Sequence, residues 1–290
     1  MIAAGSLLLG AMLVGWLAPI PLSRLVVRGG PDVGLTWWLV LTVAAFASAA
    51  AASVLLLLGD HLHVDSGLWH MCSALIGHHH VHPADEIVGM LLLAMVCLAA
   101  AKAARAVRRR LVAQRRAHRA HLDALATTAL SYVDGVLWLK HDAPFAYSIS
   151  GRPGLVVAST GLNRLPANQR DAVLHHERHH LRRRHHWLVI ATSAVTDALP
   201  RVPLFRGVAR ATRTLTELAA DRRAARDCGP EALTGALLAL GQPQRVTALQ
   251  RLPLRPRRRI GAHLLAVATG GVLPATLGAA LFAAVIAMAC

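Results

Sequence analysis

Four long apolar runs restrict the possible folds of this chain more than any other feature. They cover residues 2–20, 35–58, 87–104 and 262–289. A helix needs about 20 mostly apolar residues to cross the hydrocarbon core of a bilayer. Gly270, Gly271 and Pro274 interrupt the last run, which a kinked or buried span tolerates because neighbouring helices satisfy the freed backbone groups. The runs therefore predict a mainly α-helical membrane protein with four transmembrane spans.

The charges are segregated from these apolar runs, and their distribution predicts an orientation. The chain is 55% hydrophobic yet has a formal net charge of +16. Arg24 and Arg28 are the only basic residues before Lys102, whereas the stretch 102–259 is rich in arginine. Loops on the cytoplasmic side carry the excess of Lys and Arg. We therefore expect a multi-pass protein of the cell membrane, with both termini outside and the region between spans three and four in the cytoplasm.

Three regions follow from this layout. Residues 1–104 hold three spans and an outside loop at 59–86, residues 105–261 form a cytoplasmic domain, and residues 262–290 hold the fourth span. The basic segment that begins at Arg105 is expected to contact anionic lipid headgroups. A direct nucleic-acid role is not expected for these arginines, because aromatic residues are not interleaved with them.

A metal-ligand spacing occurs inside the basic region. His176 and His180 are four residues apart in a helix-favouring segment, so they lie on one helix face. Glu177 lies about 100° further round, where a carboxylate can act on a metal-bound water without binding the metal. Zinc accepts histidine nitrogens in a tetrahedral shell and lowers the pKa of a bound water when one position stays open. The spacing predicts a hydrolytic zinc site that needs a third ligand.

Glu217 and Asp221 supply the missing part of this pattern, on a second helix-favouring segment and again four residues apart. A Glu-x-x-x-Asp helix beside a His-Glu-x-x-His helix resembles the gluzincin metallopeptidases. In those proteins the Glu is the third metal ligand, and the Asp holds a ligating histidine through its other ring nitrogen. The alternative is that the histidines belong to a solvated polybasic helix face.

Two short strands, Ala146–Ile149 and Leu155–Ser159, are expected to flank a turn at 151–154. Such a hairpin beside the metal helix offers an edge to which an extended peptide can add as a further strand.

Three segments then resemble the membrane metallopeptidases of the BlaR/MecR antirepressor type and, more distantly, the HtpX and CaaX-prenyl-protease group. They are residues 146–151, 156–162 and 172–180. The resemblance covers about residues 102–261 and the multi-span layout. It implies a cytoplasmic α+β gluzincin-like zinc peptidase domain between spans three and four.

The resemblance also implies roles for individual residues. His176, His180 and Glu217 bind Zn²⁺, Glu177 is the general base, and Asp221 holds a ligating histidine. The implied activity is signal-responsive cleavage of a cytoplasmic repressor of the BlaI/MecI kind. The β-lactam receptors carry an extracytoplasmic penicillin-binding domain after their last span. Here the chain stops at Cys290, so a shorter peptidase with a different input is expected.

The loop at 59–86 is the candidate input because it concentrates seven histidines, His61, His63, His70, His78, His79, His80 and His82. These imidazoles suit a divalent transition metal or a pH sensor, and a solvated polar loop without a specific role is the alternative. For the whole protein, the other functions are an HtpX-type quality-control protease and a non-enzymatic membrane sensor with a structural zinc site. A metal transporter is disfavoured because the spans hold almost no ionisable residue.

Overall fold

The long helices dominate the structure, a computed structural model that describes residues 2–22, 30–58, 83–151, 154–250 and 259–289. Four of them contain the apolar runs: α1 (Ile2–Leu17), α2 (Pro31–Leu58), α3 (Pro83–Thr128) and α9 (Arg259–Ala289). The histidines of the predicted input loop, at positions 61–82, lie outside the described residues.

Within the described part of the chain, three helices are long and apolar enough to cross a membrane: Pro31–Leu57, Glu86–Leu125 and Gly261–Leu281. They coincide with the second, third and fourth predicted spans. The first predicted span, 2–20, is different. Helix α1 has 16 residues, or about 24 Å at 1.5 Å per residue, which is less than the roughly 30 Å of a hydrocarbon core. The four-span arrangement therefore remains a prediction.

Helix α1 nevertheless packs closely with the membrane-length helices. Gly10 of α1 faces the backbone of Pro274 in α9, and a methyl group added at Gly10 would overlap the Pro274 carbonyl oxygen. Gly278 of α9 approaches the backbone of Ser6 in the same way. Small residues at such crossings allow two helix backbones to come together.

Helix α3 is one continuous element of 46 residues. It contains both the third apolar run and the basic segment, so it extends from the membrane-length part into the region of the predicted domain. Beyond the apolar part, Arg110 of α3 forms an ion pair with Asp197, with 2.6 Å between Nη2 and Oδ2. This pair fixes the basic half of α3 to a helix of the site region, α5 (His185–Ala198).

A four-stranded sheet follows α3, in the order β1-β2-β4-β3. The predicted hairpin is present as β3 (Ala146–Ile149) and β4 (Leu155–Ser159), which pair antiparallel. A second hairpin, which the sequence analysis did not predict, consists of β1 (Ala129–Val133) and β2 (Val136–Leu139). Strand β4 is buried along its length and pairs parallel with β2. Strand β3 therefore lies at an edge of the sheet.

The rest of the site region is helical. Its further helices are α4 (Ala167–Arg182), α6 (Pro203–Cys228), α7 (Pro230–Ala239) and α8 (Pro243–Gln250). On α4, Val173 and Leu174 pack with Val156 of the sheet, and Ala172 packs with Leu233 of α7. This core fixes α4 against the sheet.

Helix α6 belongs to two environments. Its first turns, which include Leu204, Phe205 and Val208, form one buried cluster with Val14 of α1 and Leu41 of α2. Its last turns pack against α4 and α7. The same helix therefore joins the apolar bundle to the region of the predicted metal ligands.

Candidate metal centre

Three side chains from α4 and α6 bring their ligating atoms to one point. The Nε2 atoms of His176 and His180 are 3.1 Å apart. Oε2 of Glu217 lies 3.5 Å from Nε2 of His176, and Oε1 lies 3.4 Å from Nε2 of His180. Ligands about 2.0–2.1 Å from a tetrahedral zinc ion are separated by roughly 3.3 Å. The three predicted ligands are therefore spaced as a metal ion requires, and this group can hold one.

Asp221 fixes the orientation of the first histidine. Its Oδ1 lies 2.9 Å from Nδ1 of His176, and its side chain is fully buried. A proton on Nδ1 is donated to this carboxylate, which leaves the lone pair of Nε2 directed at the other two ligands. The arrangement is that of a carboxylate–histidine pair at a metal site, and it places Asp221 where the resemblance implied.

His185 contacts the second histidine, His180, in the way that Asp221 contacts His176. Its Nδ1 lies 3.0 Å from Nδ1 of His180, and its side chain is buried. His185 starts α5, directly after a tight connection in which Arg184 has a φ of 50°. The contact between His185 and His180 could not be predicted from the sequence, because it depends on how α4 and α5 are joined.

Arg245 is a second residue that the sequence analysis missed. From α8, its Nε donates to Oδ2 of Asp221 over 2.9 Å, and its Nη2 contacts Oδ1 of the same carboxylate. The Nη2 also lies 3.2 Å from Nε2 of His176 and 3.7 Å from Oε2 of Glu217. Arg245 therefore places a permanent positive charge at the edge of the cluster. No sequence signal distinguishes it from the many other arginines.

The contacts shift the pKa values of the clustered groups in opposite directions. Burial lowers the pKa of His176, but hydrogen bonds with Asp221 and Glu217 outweigh burial and raise it to about 9. For His180, burial and the neighbouring His176 lower the pKa to about 4. Burial raises the pKa values of Glu217 and Asp221, yet hydrogen bonding with His176 outweighs it and holds both below their usual range. Without a metal, His176 therefore carries a proton on each ring nitrogen at neutral pH, with Nδ1 facing Asp221 and Nε2 facing Glu217.

Glu177 lies next to these ligands and not among them. Burial raises the pKa of its carboxyl group, and a hydrogen bond with the Ser148 side chain partly opposes this effect. Ser148 belongs to the edge strand β3, so Glu177 lies between the metal cluster and that edge. Tyr147, the preceding residue, points to the other face of the strand. Its hydroxyl lies 2.7 Å from Nε2 of His121 on α3, away from the cluster.

A cavity of about 300 Å³ adjoins the cluster. His180 and Glu217 form part of its wall, together with Ser148 of β3. Gln114 of α3 and Arg213 of α6 also line it. A metal held by the three ligands would therefore border a space large enough for part of a ligand.

No protein-family model, curated protein or solved structure matched this chain in the comparisons that were made.

Proposed function

We propose that this chain is a zinc-dependent endopeptidase of the cell membrane, with its catalytic region in the cytoplasm. The main observation in favour is the spacing of 3.1, 3.4 and 3.5 Å among the ligating atoms of His176, His180 and Glu217. The basic composition of the stretch 102–259 supports the cytoplasmic orientation.

The ligand set favours zinc. Two imidazole nitrogens and one carboxylate are the ligands of many catalytic zinc sites, whereas magnesium and calcium prefer oxygen ligands throughout. Three protein ligands beside a cavity favour a catalytic site, since structural zinc sites have four protein ligands. When bound, zinc would polarise the scissile carbonyl group and make water a stronger nucleophile at neutral pH.

The residues around the cluster suit the remaining steps of peptide hydrolysis. In this proposal Glu177 accepts the proton of the attacking water and donates it to the leaving amine. Its raised pKa brings it closer to neutrality, where such a group transfers protons most effectively. The guanidinium group of Arg245 donates to Asp221 and Gln242, and so it would hold the Asp221 carboxylate in position beside His176.

Strand β3 supplies a surface for the substrate. It is an edge strand, and its Ser148 contacts Glu177. An extended peptide that adds to this edge would be held by main-chain hydrogen bonds close to the catalytic groups. The resemblance to the antirepressor peptidases leads us to propose a cytoplasmic repressor-type protein as the substrate.

The test is a comparison of metal content and proteolysis in full-length protein purified in detergent. Glu177→Gln keeps the size of the side chain but removes the base. It should retain zinc while cleavage of a casein or peptide substrate falls by about 100-fold or more. His180→Ala should lose the zinc of the site, whereas His175→Ala, on an outer face of the same helix, should keep it. Equal zinc in wild type and His180→Ala, or undiminished cleavage by Glu177→Gln, would contradict the proposal.

A further inference from the structure

The cavity beside the metal cluster has an uneven distribution of charge. Among its described lining residues, the ionisable groups are His180, His185, His186, Arg213 and Glu217. His180 and Glu217 belong to the metal cluster, and His185 contacts His180. Arg213 is the only one of the five with a permanent positive charge, because guanidinium groups remain protonated in proteins.

A hydrogen bond to a buried side chain of α5 holds Arg213 in place. Its Nη2 donates to Oγ of Ser193 over 3.1 Å, and Ser193 is buried within α5. A guanidinium group has five N–H donors, so this bond leaves most of them available to the cavity. Arginine binds carboxylates through two parallel hydrogen bonds, which are stronger than bonds between neutral groups.

Apolar side chains line another part of the cavity and suit the methylene groups of an acidic side chain. Val189 and Ile190 of α5 line the cavity and offer an apolar surface to methylene groups. Ser148 links the cavity to the edge strand β3. Successive side chains of an extended peptide point to opposite sides. A peptide paired with β3 would therefore direct one side chain near the scissile bond towards this cavity.

We propose that this cavity is a substrate subsite that selects a carboxylate, and that Arg213 determines the selection. The inference rests on the proposed peptidase function and adds a substrate class: peptides with Glu or Asp beside the scissile bond. The formal net charge of +16 acts in the same direction, since it attracts acidic partners at a distance. A carboxylate can also come from the C-terminus of a peptide, and the experiment separates the two sources.

The experiment uses full-length, zinc-loaded protein in lipid nanodiscs and quenched peptides that differ at one position beside the cleaved bond. With blocked ends, we expect kcat/KM to be at least tenfold higher for Glu than for Gln, and lowest for Lys. Arg213→Gln should abolish the Glu preference, and Arg213→Glu should reverse it in favour of Lys. Arg210→Glu is the matched control, because Arg210 is exposed on the same helix and does not line the cavity. It should keep the Glu preference.

Binding provides a readout that does not depend on turnover. Fluorescence anisotropy with Glu177→Gln should show the tightest binding for the Glu peptide, weaker binding for the Gln peptide and the weakest for the Lys peptide.

Equal kcat/KM for the Glu and Gln peptides, or an equal change in Arg213→Glu and Arg210→Glu, would overturn the subsite. A preference seen only for peptides with a free C-terminus, and lost on amidation, would overturn side-chain selection. If Glu peptides bind tightest but none is cleaved, the peptidase proposal fails while the subsite stands. If no peptide binds or is cleaved, both fail.

Discussion

His185 lies directly behind His180 of the candidate metal cluster, with 3.0 Å between their Nδ1 atoms. When Nε2 of His180 faces the metal, its Nδ1 carries the proton and donates it to His185. Each histidine ligand therefore has its own hydrogen-bond partner, Asp221 for His176 and His185 for His180.

The first prediction follows from this contact. His185→Ala should weaken zinc binding by about 10- to 100-fold, the usual effect of removing a group that orients a metal ligand. His185→Asn keeps a hydrogen-bond acceptor and should recover part of the affinity. The measurement is zinc competition with a chromogenic chelator. An unchanged zinc Kd in His185→Ala would show that the contact does not orient His180.

The second prediction concerns pH. In the metal-free protein the pKa of His176 is raised to about 9, so zinc must displace a proton from Nε2 at neutral pH. Below about pH 9 the apparent zinc affinity should therefore fall by about tenfold for each pH unit from this group alone. His180, with a pKa of about 4, adds no further loss until the solution is strongly acidic.

Asp221→Asn tests the cause of this pH dependence. The amide still accepts a hydrogen bond from Nδ1, but it lacks the charge that raises the pKa of His176. Calorimetry in buffers of different ionisation enthalpy should find fewer protons released per zinc at pH 7 in the variant than in wild type. Equal proton release would rule out Asp221 as the source of the raised pKa.

The third prediction concerns the contact between α1 and α9. Gly10→Ala places a methyl group against the Pro274 carbonyl oxygen, whereas Gly5→Ala, on the same helix, meets nothing within 4 Å. Overpacking of this kind costs about 1–3 kcal/mol, so Gly10→Ala should lower the thermal midpoint in detergent and Gly5→Ala should not. Similar midpoints for the two variants would mean that α1 does not pack on α9 at Gly10.

The fourth prediction concerns topology. We expect a cysteine at Ser66 to react with an impermeant thiol reagent added outside the cell. A cysteine at Ser131, which is exposed on β1, should react only after the membrane is opened. The native cysteines are first replaced so that each variant carries one thiol. The reverse labelling pattern would place the proposed peptidase region outside, where the proposed cytoplasmic substrate cannot reach it.

The members of the candidate metal cluster could be identified from the sequence because each pair is four residues apart on one helix. His176 and His180 share a face of one helix, and Glu217 and Asp221 share a face of another, so the helical period alone forms each pair. The juxtaposition of these two helices was an expectation from resemblance, and the structure brings Glu217 to both histidines and Asp221 to His176.

The residues that support the ligands could not be predicted in the same way. Arg245 reaches Asp221 from another helix, 24 residues further along the chain, and His185 reaches His180 through the turn between α4 and α5. The helical repeat does not relate Arg245 to Asp221, or His185 to His180, because each pair joins two different helices. The hairpin of β1 and β2 did have a local signal, since Asp134-Gly135 adopts positive φ at both residues, as a two-residue hairpin turn requires.

Helix α6 has a practical consequence for any study of the region around the candidate metal cluster by itself. Leu204, Phe205 and Val208 pack with α1 and α2, and Glu217 follows Val208 after nine residues of the same uninterrupted helix, a rise of about 14 Å. A fragment cut at residue 105 would leave this apolar end of α6 without its neighbours. Glu217 of the candidate metal cluster would then lie on a helix whose first turns expose apolar side chains to water. We therefore expect soluble truncations to be poor substitutes for the full chain, and a detergent that separates the bundle should also weaken metal binding at this cluster.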